Sequence, residues 1–269
     1  MGPEALSFIV FIVSMLTLMG IGLSMALALV LTGAAMAWTL DFWDTQLLAQ
    51  NLVAGVDSFP LLAVPFFILA GELMNSGGIS RRIIDMAQAW VGHIRGGLGF
   101  VTIAAAILMA SMSGSALADT AALATILLPM MRKQGYPMNT SAGLVASGGI
   151  IAPIIPPSMP FVIYGVTTNT SISSLFLAGI VPGLIMGIGL IIAWKLELRK
   201  IELPEGKPQP IRARLQATVK AFWAMLMPII IIGGMKSGIF TPTEAAVVAA
   251  FYALVVALFI HREMKMVEI

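Results

Sequence analysis

Cysteine is absent from the 269 residues, which excludes a disulfide framework and any thiolate site for metal or redox chemistry. Histidine is almost absent: His93 and His261 stand far apart, each beside basic residues, and are expected to be solvated rather than to form a metal cluster. Charged residues make up only 10% of the chain against 59% hydrophobic, with a mean hydropathy of +0.97, a balance outside the range of water-soluble domains. The usual hydrolytic signatures are missing too. There is no Gly-x-Ser-x-Gly elbow, no His-Glu-x-x-His and no second intramembrane aspartate near Asp119, so no enzyme is expected. The net charge of +2 reflects topology rather than affinity for nucleic acid, and no nucleic-acid partner is expected.

What the chain has instead is a succession of apolar runs of about 18 residues or more, which makes it an all-α polytopic membrane protein whose main surrounding is the lipid bilayer. Every Lys and Arg except Lys236 falls in one of four short clusters: Arg81 to Arg95, Arg132 to Lys133, Lys195 to Lys220, and Arg262 to Lys265. Cytoplasmic loops collect Lys and Arg, so these clusters mark one face and Lys236 the other. Leu6 to Val13 lacks the basic flank and small-residue site of a cleaved signal, and is read as mature sequence.

The first apolar run, Leu6 to Leu40, would be about 50 Å long as one helix, beyond a hydrocarbon core of about 30 Å. Gly20 and Gly22 divide it into two short spans, a single long helix being the alternative. Asp41 to Asp57 carries three aspartates and no basic residue, which suits the outer face or a helix along the interface. Pro60 to Met74 returns inward. Ile79 to Arg95 reads as an amphipathic helix on the inner surface. Its apolar face is Ile83, Ile84, Met86, Ala87, Trp90, Val91 and Ile94, with Arg81, Arg82, Asp85, Gln88 and His93 largely opposite. Trp38, Trp43 and Trp90 read as interfacial anchors.

Gly96 to Met131 leaves the basic face and returns to it in too few residues for two full spans, which predicts a re-entrant hairpin. Its tip is the one polar cluster of the run, Ser111 to Thr120. Asn139 to Trp194 goes out and back around Thr167 to Ser171, and its outgoing helix is broken by Pro153, Pro156, Pro157 and Pro160. Lys195 to Lys220 is a charged inner linker, after which Ala221 to Met235 goes out again. Thr241-Pro242-Thr243-Glu244 reads as a helix start with a structural role. Val64-Pro65 to Gly71 is echoed by Met227-Pro228 to Gly234, a weak internal repeat of the kind found in inverted-repeat transporters. The resulting divisions are N-terminal scaffold helices in 1–58, a scaffold span plus inner arm helix in 59–95, the hairpin in 96–138, the broken helix and return span in 139–194, the linker in 195–220, and the start of a second inverted repeat in 221–269.

Irregular backbone at membrane depth is tolerated only where protein or a watery cavity receives its polar groups. Two such breaks are expected near mid-membrane, at the hairpin tip and at Pro153 to Pro160, and oxygen ligands without Cys or His suit Na⁺ better than zinc or copper. Small residues (Ser113, Gly114, Ser115; Gly148, Gly149) allow two backbones to share an ion, and half-helix N-termini suit a substrate carboxylate. The competing reading is that Ser111 to Ser115 is an ordinary small-residue packing contact. Asp119, the only carboxylate of its run, is read either as tuning the ion site or as a helix cap. Glu72, near the inner interface, is the weaker candidate.

The stretches Ser113-Gly-Ser-Ala-Leu-Ala-Asp-Thr-Ala-Ala122, Leu128-Pro-Met-Met131, Ala146 to Ser158 and Gly238 to Ala246 closely resemble the large membrane subunit of tripartite ATP-independent periplasmic (TRAP) transporters. The resemblance implies a fold of the ion-transporter superfamily type and Na⁺-driven, elevator-like transport of an organic acid, a sugar acid such as sialic acid or a dicarboxylate, in the bacterial inner membrane. It also implies an outer N-terminus and two partners, a small four-helix membrane subunit and a periplasmic substrate-binding protein. The residues expected to hold the coupling ion Na⁺, largely by backbone carbonyls, are Ser111, Ser113, Gly114, Ser115, Asp119, Gly148, Gly149 and Pro153. Those expected at the substrate are Ser115, Thr120, Pro156, Pro157 and Ser158. Family members continue through a second hairpin and second broken helix, so the second repeat reads as incomplete and the chain as truncated, unable to transport alone. A scaffold or channel subunit without ion coupling is the alternative.

Overall fold

The computed structural model describes residues 3–201, 203, 205–206 and 208–263. Among them there is no strand, and four helical stretches are long and apolar enough to cross a membrane: Phe59–Ser76, Ile172–Glu197, Ile211–Lys236 and Pro242–His261. The chain is a polytopic membrane protein, and it divides into two units, Met1–Ser58 and Phe59–Ile269.

In the first unit the long apolar run is two helices, α1 (Pro3–Gly20) and α2 (Met25–Thr39), with Gly22 at φ +93° between them. A left-handed turn residue of this kind is where glycine is favoured over any side chain. The helices pack together, and Ser14 and Thr32 are joined by a 3.3 Å hydrogen bond. Helix α3 (Thr45–Val56) starts at Asp44, whose carboxylate accepts from the backbone of Gln46 and Leu47, an N-cap that stabilises by about 1 kcal/mol. Trp38 and Trp43 meet edge to face at 5.3 Å, and both are exposed.

The second unit is built around α4 (Ala63–Ser76, preceded by a 3₁₀ turn at Phe59–Leu62) and α12 (Pro242–Val255, continued by a π-helical turn Val256–His261). These helices run parallel. Thr243 donates to the Phe59 carbonyl at one end, and at the other the His261 ring lies 3.2 Å from the Gly77 carbonyl oxygen while Arg82 pairs with Glu263 at 2.7 Å. The close approach rests on alanine: Ala245, Ala246, Ala249, Ala250 and Ala253 are all buried, as expected where helices pack without large side chains in lipid. Helix α5 (Ile79–Val91) is held between α6 (Gly97–Ser113) and α11 (Ile211–Lys236). Its buried face differs from the expected one. Ile83, Ile84, Met86 and Ala87 are buried, but so are Ser80 and Ala89, whereas Trp90 and Ile94 are exposed. Protein neighbours rather than a flat surface select the face, and small residues fit where two helices close in. Trp90 donates its indole N–H to Thr218, with Arg214 above its ring.

Helices α6 and α7 (Ala116–Lys133) pack against each other as a helical hairpin, turning at Gly114 and Ser115. After α8 (Met138–Gly149) the chain is non-helical until Ser158, then resumes as α9 (Met159–Thr167) and α10 (Ile172–Glu197). Pro160 does not belong to the break: it sits in the first turn of α9, where a proline's missing N–H would have no intrahelical partner anyway. The linker is also shorter than expected, because α11 begins at Ile211 rather than near Ala221. It is strapped to the α5–α6 junction, with Arg95 donating to the Leu198 and Ile201 carbonyls, Trp194 to the Gly96 carbonyl, and Tyr136 stacked on Trp194. These contacts gather the segments carrying all four basic clusters at one end of the unit, while Lys236 and the start of α12 lie at the other.

Candidate functional site

The hairpin turn is made by Gly114 at φ +59°, between the last residue of α6 and Ser115, which caps α7 by accepting from the Ala118 N–H at 3.3 Å. Only glycine fits this turn. A Cβ on Gly114 would run into the carbonyl oxygen of Pro157, so the turn lies directly against the break between α8 and α9. That carbonyl receives no hydrogen bond among the described residues. Further along the hairpin, a Cβ on Gly149 would strike the Thr120 hydroxyl of α7, and one on Gly148 would come within 3.1 Å of Ala106 of α6. Small residues in α8 thus seat it against both arms of the hairpin.

The break is internally braced. Pro156–Pro157 is a cis peptide, and Ser158, fully buried, donates to the Pro153 carbonyl and receives the Phe161 N–H as the N-cap of α9. The carbonyls of Gly148 and Gly149 accept from Ile151 and Ala152, each at 3.2 Å. Ser113, Ser115 and Asp119 form a second cluster. The Ser113 hydroxyl donates to Asp119 Oδ1 at 2.6 Å and accepts from the Ser115 N–H at 3.1 Å. Asp119 is 1% exposed and lies in the first turn of α7, where the helix dipole favours a negative group. Its second oxygen, Oδ2, has no hydrogen-bond partner among the described residues.

The expected site residues therefore come together, but as two faces of one hairpin tip. Gly114 and Thr120 look toward Pro157 and Gly149, whereas Ser113 and Asp119 look toward α4, where Gly71 leaves room and a Cβ would be 3.3 Å from Ser113 Cβ. Ser111 stands apart, its hydroxyl returned to the Leu108 carbonyl of its own helix at 2.6 Å. Pro153 offers a carbonyl already engaged by Ser158. Asn75 and Ser80, which flank the α4–α5 turn and share a small cavity with Ser113 and Asp119, were not singled out by the sequence. Ser80 donates to Asn75 Oδ1. Glu72 is exposed on the neighbouring surface. The small cavity sets the side chains of Asn75, Ser80, Ser113 and Asp119 beside those of Met74, Met109 and Met112.

Residues 8–269 match the family model described as tripartite ATP-independent periplasmic transporter, DctM component. The chain is 54% identical over 259 residues to the 2,3-diketo-L-gulonate TRAP transporter large permease protein of Escherichia coli (strain K12), covering 96% of this chain and 61% of that protein. It is 44% identical over 236 residues to the sialic acid TRAP transporter large permease protein of Vibrio cholerae, covering 87% and 55%. It is likewise 44% identical over 221 residues to the C4-dicarboxylate TRAP transporter large permease protein of Pseudomonas aeruginosa, covering 82% and 52%. The chain thus spans less than two thirds of the length of these relatives. With a family match running through both units and through every element of the hairpin and the broken helix, this chain belongs to the DctM component family of tripartite ATP-independent periplasmic transporters.

Proposed function

We propose that this chain forms part of the permease of a Na⁺-coupled secondary transporter that brings an organic acid across the bacterial inner membrane. The observation that carries the reading is the contact of the Gly114 turn with the free carbonyl of Pro157, because it joins two helix interruptions, each bearing unspent backbone polarity, at one place. Backbone oxygens there, with Ser113, Ser115 and Asp119, act as the Na⁺ ligands, while Thr120, Ser158 and the N-termini of α7 and α9 face the substrate carboxylate. In this reading α6–α7 is a re-entrant hairpin and α8–α9 a broken span that move together as an elevator against α4 and α12, and the basic end of the second unit is cytoplasmic.

The relatives are named for 2,3-diketo-L-gulonate, sialic acid and C4-dicarboxylates, all of them carboxylates, which supports an acid as the solute here. The same names support assembly with a small membrane subunit and delivery of the solute by a periplasmic binding protein. In this reading an inverted second half, with its own hairpin, belongs to the remainder of the full-length permease. The test is uptake of labelled acids into proteoliposomes holding the full-length permease, its small subunit and the binding protein. Uptake is expected only with an inward Na⁺ gradient, and Ser115→Ala with Asp119→Ala together should abolish it. Uptake indifferent to Na⁺, or unchanged in the double variant, would sink the reading and favour a scaffold or channel subunit.

A further inference from the structure

Asp119 Oδ2 is buried and unpartnered. Asp119 also lines a cavity of about 10 Å³, together with Asn75, Ser80 and Ser113 and the apolar side chains of Met74, Met109 and Met112. That is the space of about one water molecule or one small ion. Asn75 and Ser80 also line a second and far larger cavity, of about 530 Å³, on their other side. Its rim carries the exposed Glu72, Arg81 and Thr125 and the exposed Ala121 of α7, at the end of the unit where the basic clusters gather. Between the two cavities stands one side-chain pair, Ser80 donating to Asn75 Oδ1. Ser80 is 7% exposed and Asn75 is half-buried, so the pair closes the small cavity toward the large one. Gly71 lies about 8 Å along α4 from Ser76 at 1.5 Å per residue, so the hairpin tip sits close to the α4–α5 turn.

The geometry points to Asn75 and Ser80 as the inner polar gate through which a monovalent cation passes between Asp119 and the cytoplasm, an inference that rests on the Na⁺-coupled reading above. An amide oxygen and a hydroxyl can each replace part of a cation's water shell as it moves from the large cavity to the buried carboxylate. An apolar side chain at the same place leaves the ion to be stripped without compensation. Glu72 at the mouth adds a negative charge that draws cations in, while Arg81 opposes it. The gate is formed by the α4–α5 turn, whereas Ser113 and Asp119 belong to the hairpin, so movement of the hairpin along α4 separates the carboxylate from its exit.

Because residues 1–269 contain no cysteine, single substitutions report the path directly. In the full-length transporter with any remaining cysteines replaced, Ser80→Cys is expected to react from the cytoplasmic side with a small cationic thiosulfonate about tenfold faster than with an anionic one. Na⁺ should slow that reaction, whereas Thr125→Cys at the rim should be open to both reagents regardless of Na⁺. In proteoliposomes Asn75→Leu should lower Na⁺-driven uptake by about tenfold or more with an unchanged unfolding temperature, and Asn75→Asp should restore most of it. Labelling of Ser80→Cys from the outer side alone, equal rates for the two reagents, or undiminished Na⁺-driven uptake in Asn75→Leu each overturns the gate and leaves the Na⁺-coupled reading standing. Uptake by the unsubstituted protein that ignores Na⁺ overturns both.

Discussion

Gly114 concentrates two constraints that act independently, a left-handed backbone and the carbonyl of Pro157 pressed against its α-carbon. Gly114→Ala is expected to cost about 1–2 kcal/mol from backbone conformation alone and more from the collision, seen as a lower unfolding temperature of the purified full-length permease. Gly149 is constrained differently, by the Thr120 hydroxyl, and this constraint should be relievable. Gly149→Ala is expected to destabilise by about 1–3 kcal/mol, and adding Thr120→Ala should recover a good part of that loss, since contacting residues give non-additive cycles. Simple additivity of the two changes would show that they do not touch. The glycines and serines of the tip were legible in the sequence because polar and small residues stand out in an apolar run. Asn75 and Ser80 were not: an Asn and a Ser beside a basic cluster look like ordinary interfacial residues until a distant helix is folded onto them.

At the scale of elements, local chemistry and packing divide the outcome. The start of α12 is local. Thr241 accepts from the Glu244 N–H, and the Glu244 carboxylate accepts from the Thr241 N–H, so the capping box needs only four consecutive residues. Thr241→Ala should cost about 1 kcal/mol, measurable as a shift in denaturant midpoint, with Thr241→Ser close to neutral. The face of α5 is not local. Its periodicity announces an amphipathic helix, but the choice between Ala89 and Trp90 as the buried neighbour is made by α6 and α11. Ile83→Ala, at the centre of that contact, is expected to cost about 2–4 kcal/mol, whereas Trp90→Ala, exposed and holding Thr218, should cost far less. The linker shows the same limit. Charge and proline marked it as a linker on the inner face, yet Ile211 to Lys220 is helix, because apolar positions such as Ala221 and Ala224 bury one face of α11 and carry the helix back through a polar stretch.

At the scale of the whole molecule, the contacts of Arg82 with Glu263 and of Arg95 with Leu198 and Ile201 bring basic segments far apart in sequence to one end of the second unit. Lys236→Cys in spheroplasts should therefore be labelled by an impermeant reagent from outside, and Lys200→Cys only after access to the cytoplasm; the opposite pattern would invert the proposed orientation. Composition by itself determined that this chain is a polytopic membrane protein, and its glycines and prolines marked the neighbourhoods in which its helices are interrupted, because the cost of exposing charge or unpaired backbone to lipid is set residue by residue. Which break meets which, which oxygen of Asp119 is left free, and which polar pair stands between it and the basic end were decided only by tertiary structure. Those outcomes depend on how closely helices approach one another, and that distance is set jointly by glycines and alanines on different segments.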